Sequence, residues 1–205
     1  MKNTLKNVFS ITASITLMVS FAASTVQSAE DSDRQQRKEV FLTSQFMTGD
    51  SAVINKALTT ELDSSFLLGV GFGYNLTERV NANAGVLLGY TDLTATLFDS
   101  IPLKDDSIIL AWNANVDYNV WETRLTPFVT AGIGTINFTT TTVVDGYVLL
   151  SQSSMSFNLG GGVRWDVTDK IYLKGLYRAT WSEMFENSEE YTLLDGFELS
   201  VGYLF

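Results

Sequence analysis

Between Met155 and Val167 the chain changes character at every residue. Met155, Phe157, Leu159, Gly161, Val163, Trp165 and Val167 fall on one side of an extended backbone, and Ser156, Asn158, Gly160, Gly162, Arg164 and Asp166 on the other. An amphipathic helix would place its apolar residues three and four apart, whereas these fall two apart. The same alternation recurs. In Phe66 to Leu76 the apolar set is Phe66, Leu68, Val70, Phe72, Tyr74 and Leu76, opposed by Gly69, Gly71, Gly73 and Asn75. In Val80 to Thr91 it faces Asn81, Asn83, Gly85 and Gly89; in Ile108 to Val120 it faces Asn113, Asn115, Asp117 and Asn119. In Gly196 to Phe205 it faces Glu198, Ser200, Gly202 and Leu204.

Three segments are less regular. Val40 to Thr48 alternates weakly. In Leu125 to Phe138, Phe128 and Ile136 compete with Val129, Ala131 and Ile133 for the apolar face. In Ile171 to Ser182, Leu173, Gly175, Tyr177, Ala179 and Trp181 oppose Lys174, Leu176, Arg178, Thr180 and Ser182.

Polarity is the decisive point. A soluble β-sandwich also alternates, but it buries its apolar face, and here that face is wide, aromatic-rich and present on nearly every strand. The opposite face is Asn, Ser, Gly, Asp, Arg and Lys, which a dry core cannot take without further partners. Beyond the N-terminus no run reaches the length of a spanning helix, so a membrane crossing has to be made by strands closed into a barrel, with about 9 to 11 residues per strand. Eight segments qualify, an even number, and Gly on the inward face suits the narrow interior of such a barrel. The expected fold is an all-β, eight-stranded antiparallel up-and-down transmembrane β-barrel.

Composition removes whole classes of chemistry. The 205 residues contain no cysteine and no histidine, which excludes disulfides, thiolate sites and the usual general base near neutral pH. No cofactor is implied. A formal charge of −10 argues against nucleic acid, whose phosphates require a basic surface. Residues 1–29 combine Lys2 and Lys6, an apolar stretch from Val8 to Ala23 broken by Ser10, Thr12, Ser14, Thr16 and Ser20, and small residues at Ser24, Ser28 and Ala29, and so read as a secretory signal peptide. Residues 30–39 are charged throughout and read as a solvated tail preceding a barrel over residues 40–205.

The turns GYNLTERV (Gly73 to Val80) and RWDVTDKIYLKGLYR (Arg164 to Arg178), the run TPFVTAGIG (Thr126 to Gly134) and the ending LSVGYLF resemble the OmpA/OmpX/OmpW-like eight-stranded outer-membrane barrels, over Val40 to Phe205. The resemblance implies a Gram-negative outer membrane. It also implies a C-terminal assembly signal at Leu199, Val201, Tyr203 and Phe205, read by the barrel-assembly machinery after escort by periplasmic chaperones. In such barrels short turns stay in the periplasm and long loops face outward. Links at Asn75 to Arg79, Val120 to Arg124 and Asp166 to Lys170 are short, and those near Gly49 to Leu62, Asp92 to Ser107, Thr139 to Ser154 and Glu183 to Asp195 are long. Both termini are therefore expected in the periplasm, with lipopolysaccharide around the outer half and a monomeric state.

The inward charges Asp117, Arg164, Lys174, Arg178 and Glu198 are the candidate interior cluster, either paired as a plug or hydrated as a narrow porin-like channel. Trp112, Trp121, Trp165 and Trp181, with Tyr90, Tyr118, Tyr172 and Tyr203, are expected as anchors at the lipid headgroup level. Outer-membrane lipid deacylases and palmitoyl transferases resemble the chain in size but use a catalytic histidine. The acids Glu183, Glu186, Glu189, Glu190 and Asp195 read as a solvated loop rather than an acid–base or cation site. The expected function is non-enzymatic: a structural or surface-interaction role through the outer loops, with the channel as alternative.

Overall fold

A computed structural model describes residues 34–48, 51–55, 58–97, 101–140, 143–144, 147–148, 151–182 and 192–205. The expected signal peptide, residues 30–33 and the acids Glu183 to Glu190 lie outside the described residues. Twelve strands follow in order: β1 (Lys38–Met47), β2 (Ser51–Asn55), β3 (Leu58–Leu62), β4 (Ser65–Asn75), β5 (Val80–Leu97), β6 (Ile101–Asn119), β7 (Leu125–Thr140), β8 (Val143–Val144), β9 (Tyr147–Val148), β10 (Ser151–Asp166), β11 (Ile171–Ser182) and β12 (Thr192–Leu204). Eight of them close a ring in the order β4-β1-β12-β11-β10-β7-β6-β5, with β5 returning to β4. Every pairing is antiparallel, and the first and last strands meet directly, Glu39 opposite Leu204 through Met47 opposite Gly196. The ring leaves its own strands no free edge within the wall, the condition a sheet must meet in lipid.

Two of the tight turns at the end where β1 begins and β12 ends use one device. The Thr77 hydroxyl accepts the amides of Arg79 (3.2 Å) and Val80 (2.9 Å), and the Thr168 hydroxyl accepts those of Lys170 (3.2 Å) and Ile171 (3.0 Å). The two sequence motifs NLTER and DVTDK therefore fold alike.

At the other end the strands outrun the expectation. The connection expected over Asp92 to Ser107 is largely ladder, with Leu97 still opposite Ile101, and that over Gly49 to Leu62 contains β2 and β3, the latter paired to the prolonged β5. There the backbone ladder continues from its neighbour although the two-residue alternation of the sequence has faded.

Position in the wall decides the ambiguous faces. In β7 Val129 and Ile133 point outward, and Phe128 and Ile136 are buried inside. The N-terminal boundary requires a correction. Gln35, Gln36 and Lys38 are exposed, but β1 already begins at Lys38, and Arg34 and Glu39 are wholly buried, because the mouth of the barrel offers each of them a counter-ion. Gln36 takes a left-handed φ of 61° as the chain bends into that mouth, donating its amide to Asn75 O (2.8 Å).

Candidate functional site

The interior is built in layers. Nearest the start of β1, Arg164 of β10 donates to Glu39 of β1 at 3.0 Å and to Asp166 at 2.9 Å, and Arg34 donates to the other oxygen of Asp166 at 2.7 Å. Arg34 also reaches the carbonyls of Glu78 and Thr123, while its amide and that of Gln35 donate to the Glu78 carboxylate. One segment thereby ties three tight turns together. Burial lowers the proton affinity of the Arg34 guanidinium, and Asp166 offsets part of that loss. Tyr172 lies beneath this layer, its ring centroid 4.1 Å from Arg164 Cζ.

Deeper in, Lys174 pairs with Asp117, and Arg178 with Glu198 at 2.9 Å. A ladder of side-chain amides links the layers. Asn75 donates to Glu39 (3.4 Å), Asn81 to Asn75 (3.2 Å), Asn83 to Asn81 (2.9 Å) and to Asp117 (3.0 Å), and Asn115 to Asn83 (3.2 Å). Arg178 closes the series on Asn115 (3.2 Å) and Asn158 (3.0 Å). The buried charges among the described residues are four cations, Arg34, Arg164, Lys174 and Arg178, and four carboxylates, Glu39, Asp117, Asp166 and Glu198. The interior is electrically balanced, as a charge held away from bulk water must be.

Beyond Arg178 the chemistry changes. Met47, Leu67, Leu87, Ile109, Ile136, Phe138 and Leu194, from six different strands, form an apolar cluster in which no member is more than 8% exposed. A cavity of about 30 Å³ separates it from Arg178 and Asn158, room for about one water molecule.

The five interior charges expected from sequence are all buried, in three separate groups: Asp117 with Lys174, Arg178 with Glu198, and Arg164 with Glu39 and Asp166. Sequence reading overlooked Glu39, Arg34 and the apolar cluster. Glu39 carries a usable signal, since it shares the inward parity of Thr43 and Gln45. Arg34 precedes any periodic segment and carries none. Tyr172 corrects the expectation of a headgroup anchor: it shares the inward parity of Lys174 and Leu176 and is wholly buried. Trp112 and Trp165 point outward, Trp121 and Trp181 are half-buried, and Leu199, Val201, Tyr203 and Phe205 form an exposed apolar row on β12 and its end. Asp195, expected within the acidic loop, accepts hydrogen bonds from the hydroxyls of Tyr177 and Thr48.

A family model for the outer membrane protein beta-barrel domain matches residues 13–205. The chain belongs to that family. Its place is accordingly the outer membrane, and the outward row of aliphatic and aromatic side chains is its lipid surface. The fold is shared with OprG from Pseudomonas aeruginosa (11% identity over 85% of this chain and 98% of that one, TM-score 0.59). It is shared also with the Neisserial surface protein A, NspA (16% identity, 82% and 97%, 0.55). A third is Ail of Yersinia pestis, solved with the heparin analogue sucrose octasulfate (12% identity, 83% and 99%, 0.55). At these identities the likeness concerns the fold. No curated protein matches the sequence.

Proposed function

We propose that this outer-membrane barrel is a non-enzymatic, closed-lumen protein that acts through its wall and its outward strands, with no aqueous path through it. One observation carries the reading: each of the four buried cations is ion-paired with a buried carboxylate, and an apolar cluster caps these layers. A conducting lumen keeps hydrated charges along a continuous path, whereas here each layer is filled by its own side chains, as an eight-stranded barrel allows. No histidine or cysteine is available as general base or nucleophile, and the buried carboxylates are engaged with cations.

The termini and tight turns lie in the periplasm and the prolonged strands outside. The residues 1–29 serve as the export signal. Periplasmic chaperones and the barrel-assembly machinery are the assembly partners, lipopolysaccharide surrounds the outer half, and the barrel works as a monomer. The long connections carry Asp50, Glu61, Asp92, Asp99, Asp105, Asp106, Asp145, Glu183, Glu186, Glu189, Glu190 and Asp195 against Lys56 and Lys104, so a partner met there is cationic rather than a polyanion.

Planar-bilayer recording of the refolded barrel tests the lumen. The expected result is no steady conductance; steady steps that vanish when Arg164 and Glu198 are replaced establish the narrow porin-like channel instead. Protease added to whole cells tests orientation, with cuts expected only in the long connections. Cleavage at Asp166 to Lys170 from outside reverses it.

A further inference from the structure

The lipid-facing wall is not uniformly convex. Across β11, β12, β1, β4, β5 and β6 lies an open apolar furrow of about 910 Å³. Its sides are Leu42, Phe72, Val86, Trp112, Val201 and Tyr203. Its floor is low at Ala84, which faces outward opposite Phe72 and adds only one methyl group. A second hollow of about 440 Å³ shares Leu42, Val70 and Val86 and runs on to Leu68 and Leu88. Since Ser44 stands opposite Leu68, the two together extend four residues along β1 from Val40, roughly 13 Å.

Two exposed lysines stand at the end where β1 begins and β12 ends. Lys38 has the outward parity of Val40 and Leu42, is exposed, and stands opposite Tyr74 in register. Its backbone exchanges hydrogen bonds with Phe205 at 3.0 and 2.9 Å, and Lys170, also exposed, accepts the Leu204 amide at 2.7 Å. Both lysines thus flank the β12 end of the furrow. Neither forms an ion pair among the described residues, in contrast to Arg79 with Glu122 and Arg124 with Asp169 on the same rim.

We propose that the furrow is a binding site for an anionic glycerophospholipid, with an acyl chain lying between the aromatic sides and the phosphate group held at Lys38 and Lys170. Charge complementarity selects the headgroup and the low floor at Ala84 admits the chain. The assignment to the periplasmic leaflet rests on the orientation proposed above; the headgroup preference does not.

Trp112 lines the furrow and reports on it. In the full chain with Trp121, Trp165 and Trp181 replaced by Phe, refolded into symmetric phosphatidylcholine nanodiscs, bromine-labelled acyl chains are supplied on either phosphatidylglycerol or phosphatidylcholine. Brominated phosphatidylglycerol is expected to quench Trp112 at about fivefold lower mole fraction, the scale of attraction of a lysine to an anionic surface. K38Q/K170Q is expected to abolish the difference and R79Q/R124Q to retain it. Equal quenching by the two lipids overturns the site, as does a preference that survives K38Q/K170Q or is lost equally in R79Q/R124Q. Conductance plays no part in this readout, so a channel would leave the result unchanged.

Discussion

The Arg164 guanidinium donates to the Glu39 carboxylate at 3.0 Å across the barrel from β10 to β1, and neither side chain is accessible to solvent. Each charge is tolerated because the other is present. Removing one partner strands its counterpart, so Glu39→Ala or Arg164→Ala is expected to cost about 3–5 kcal/mol in urea unfolding of the lipid-embedded barrel. The double variant Glu39→Gln/Arg164→Met leaves no buried charge of that pair and is expected to cost less than either single change.

The apolar cluster at the other end of the interior predicts a different dependence. Ile109→Ala and Leu87→Ala each leave a cavity among Leu67, Ile136 and Leu194 and are expected to cost about 2–5 kcal/mol in the same assay. The cost reflects cavity volume, so it should change little with salt, unlike that of exposed ion pairs such as Arg79 with Glu122.

Tyr172 fills the space that a side chain at Gly202 would occupy: a Cβ built there overlaps the phenol ring and hydroxyl. The ring is buried against Arg164 and has nowhere to retreat. Gly202→Ala is expected to destabilise by about 1–3 kcal/mol through overpacking. Adding Tyr172→Leu should return part of that loss, measured as a thermodynamic cycle of unfolding free energies.

Arg34 joins Asp166 to Glu78 and Thr123 and so ties the three tight turns at one end. Arg34→Met should raise hydrogen exchange at residues 76–79 and 121–124, leaving the mid-strand amides of β4 and β10 unchanged. Uniform protection at the turns would show that they hold without it.

Local sequence reveals much of the wall and little of its filling. The outward rows on β4, β10 and β12 are legible because every second residue meets lipid, and a one-residue slip would turn each row inside out. The same rule places Lys174 and Arg178 inside. It falls silent at Arg34, which enters the mouth from outside any strand, and at the prolonged β5 and β6, where the sequence no longer alternates. It also says nothing of height along the barrel, so Leu67, Leu87 and Ile109 pass for isolated inward residues until the register stacks them.

By itself, then, the sequence determined the strand period, the polarity of the two faces, the number of wall strands and the family to which they belong, since each follows from residue spacing against lipid. The tertiary structure alone decided which charges pair, that Glu39 rather than Glu198 neutralises Arg164, and that an apolar layer caps the polar one. Those depend on the register between strands distant in the chain, which sets the height at which each side chain enters a shared interior, and no local pattern encodes that height.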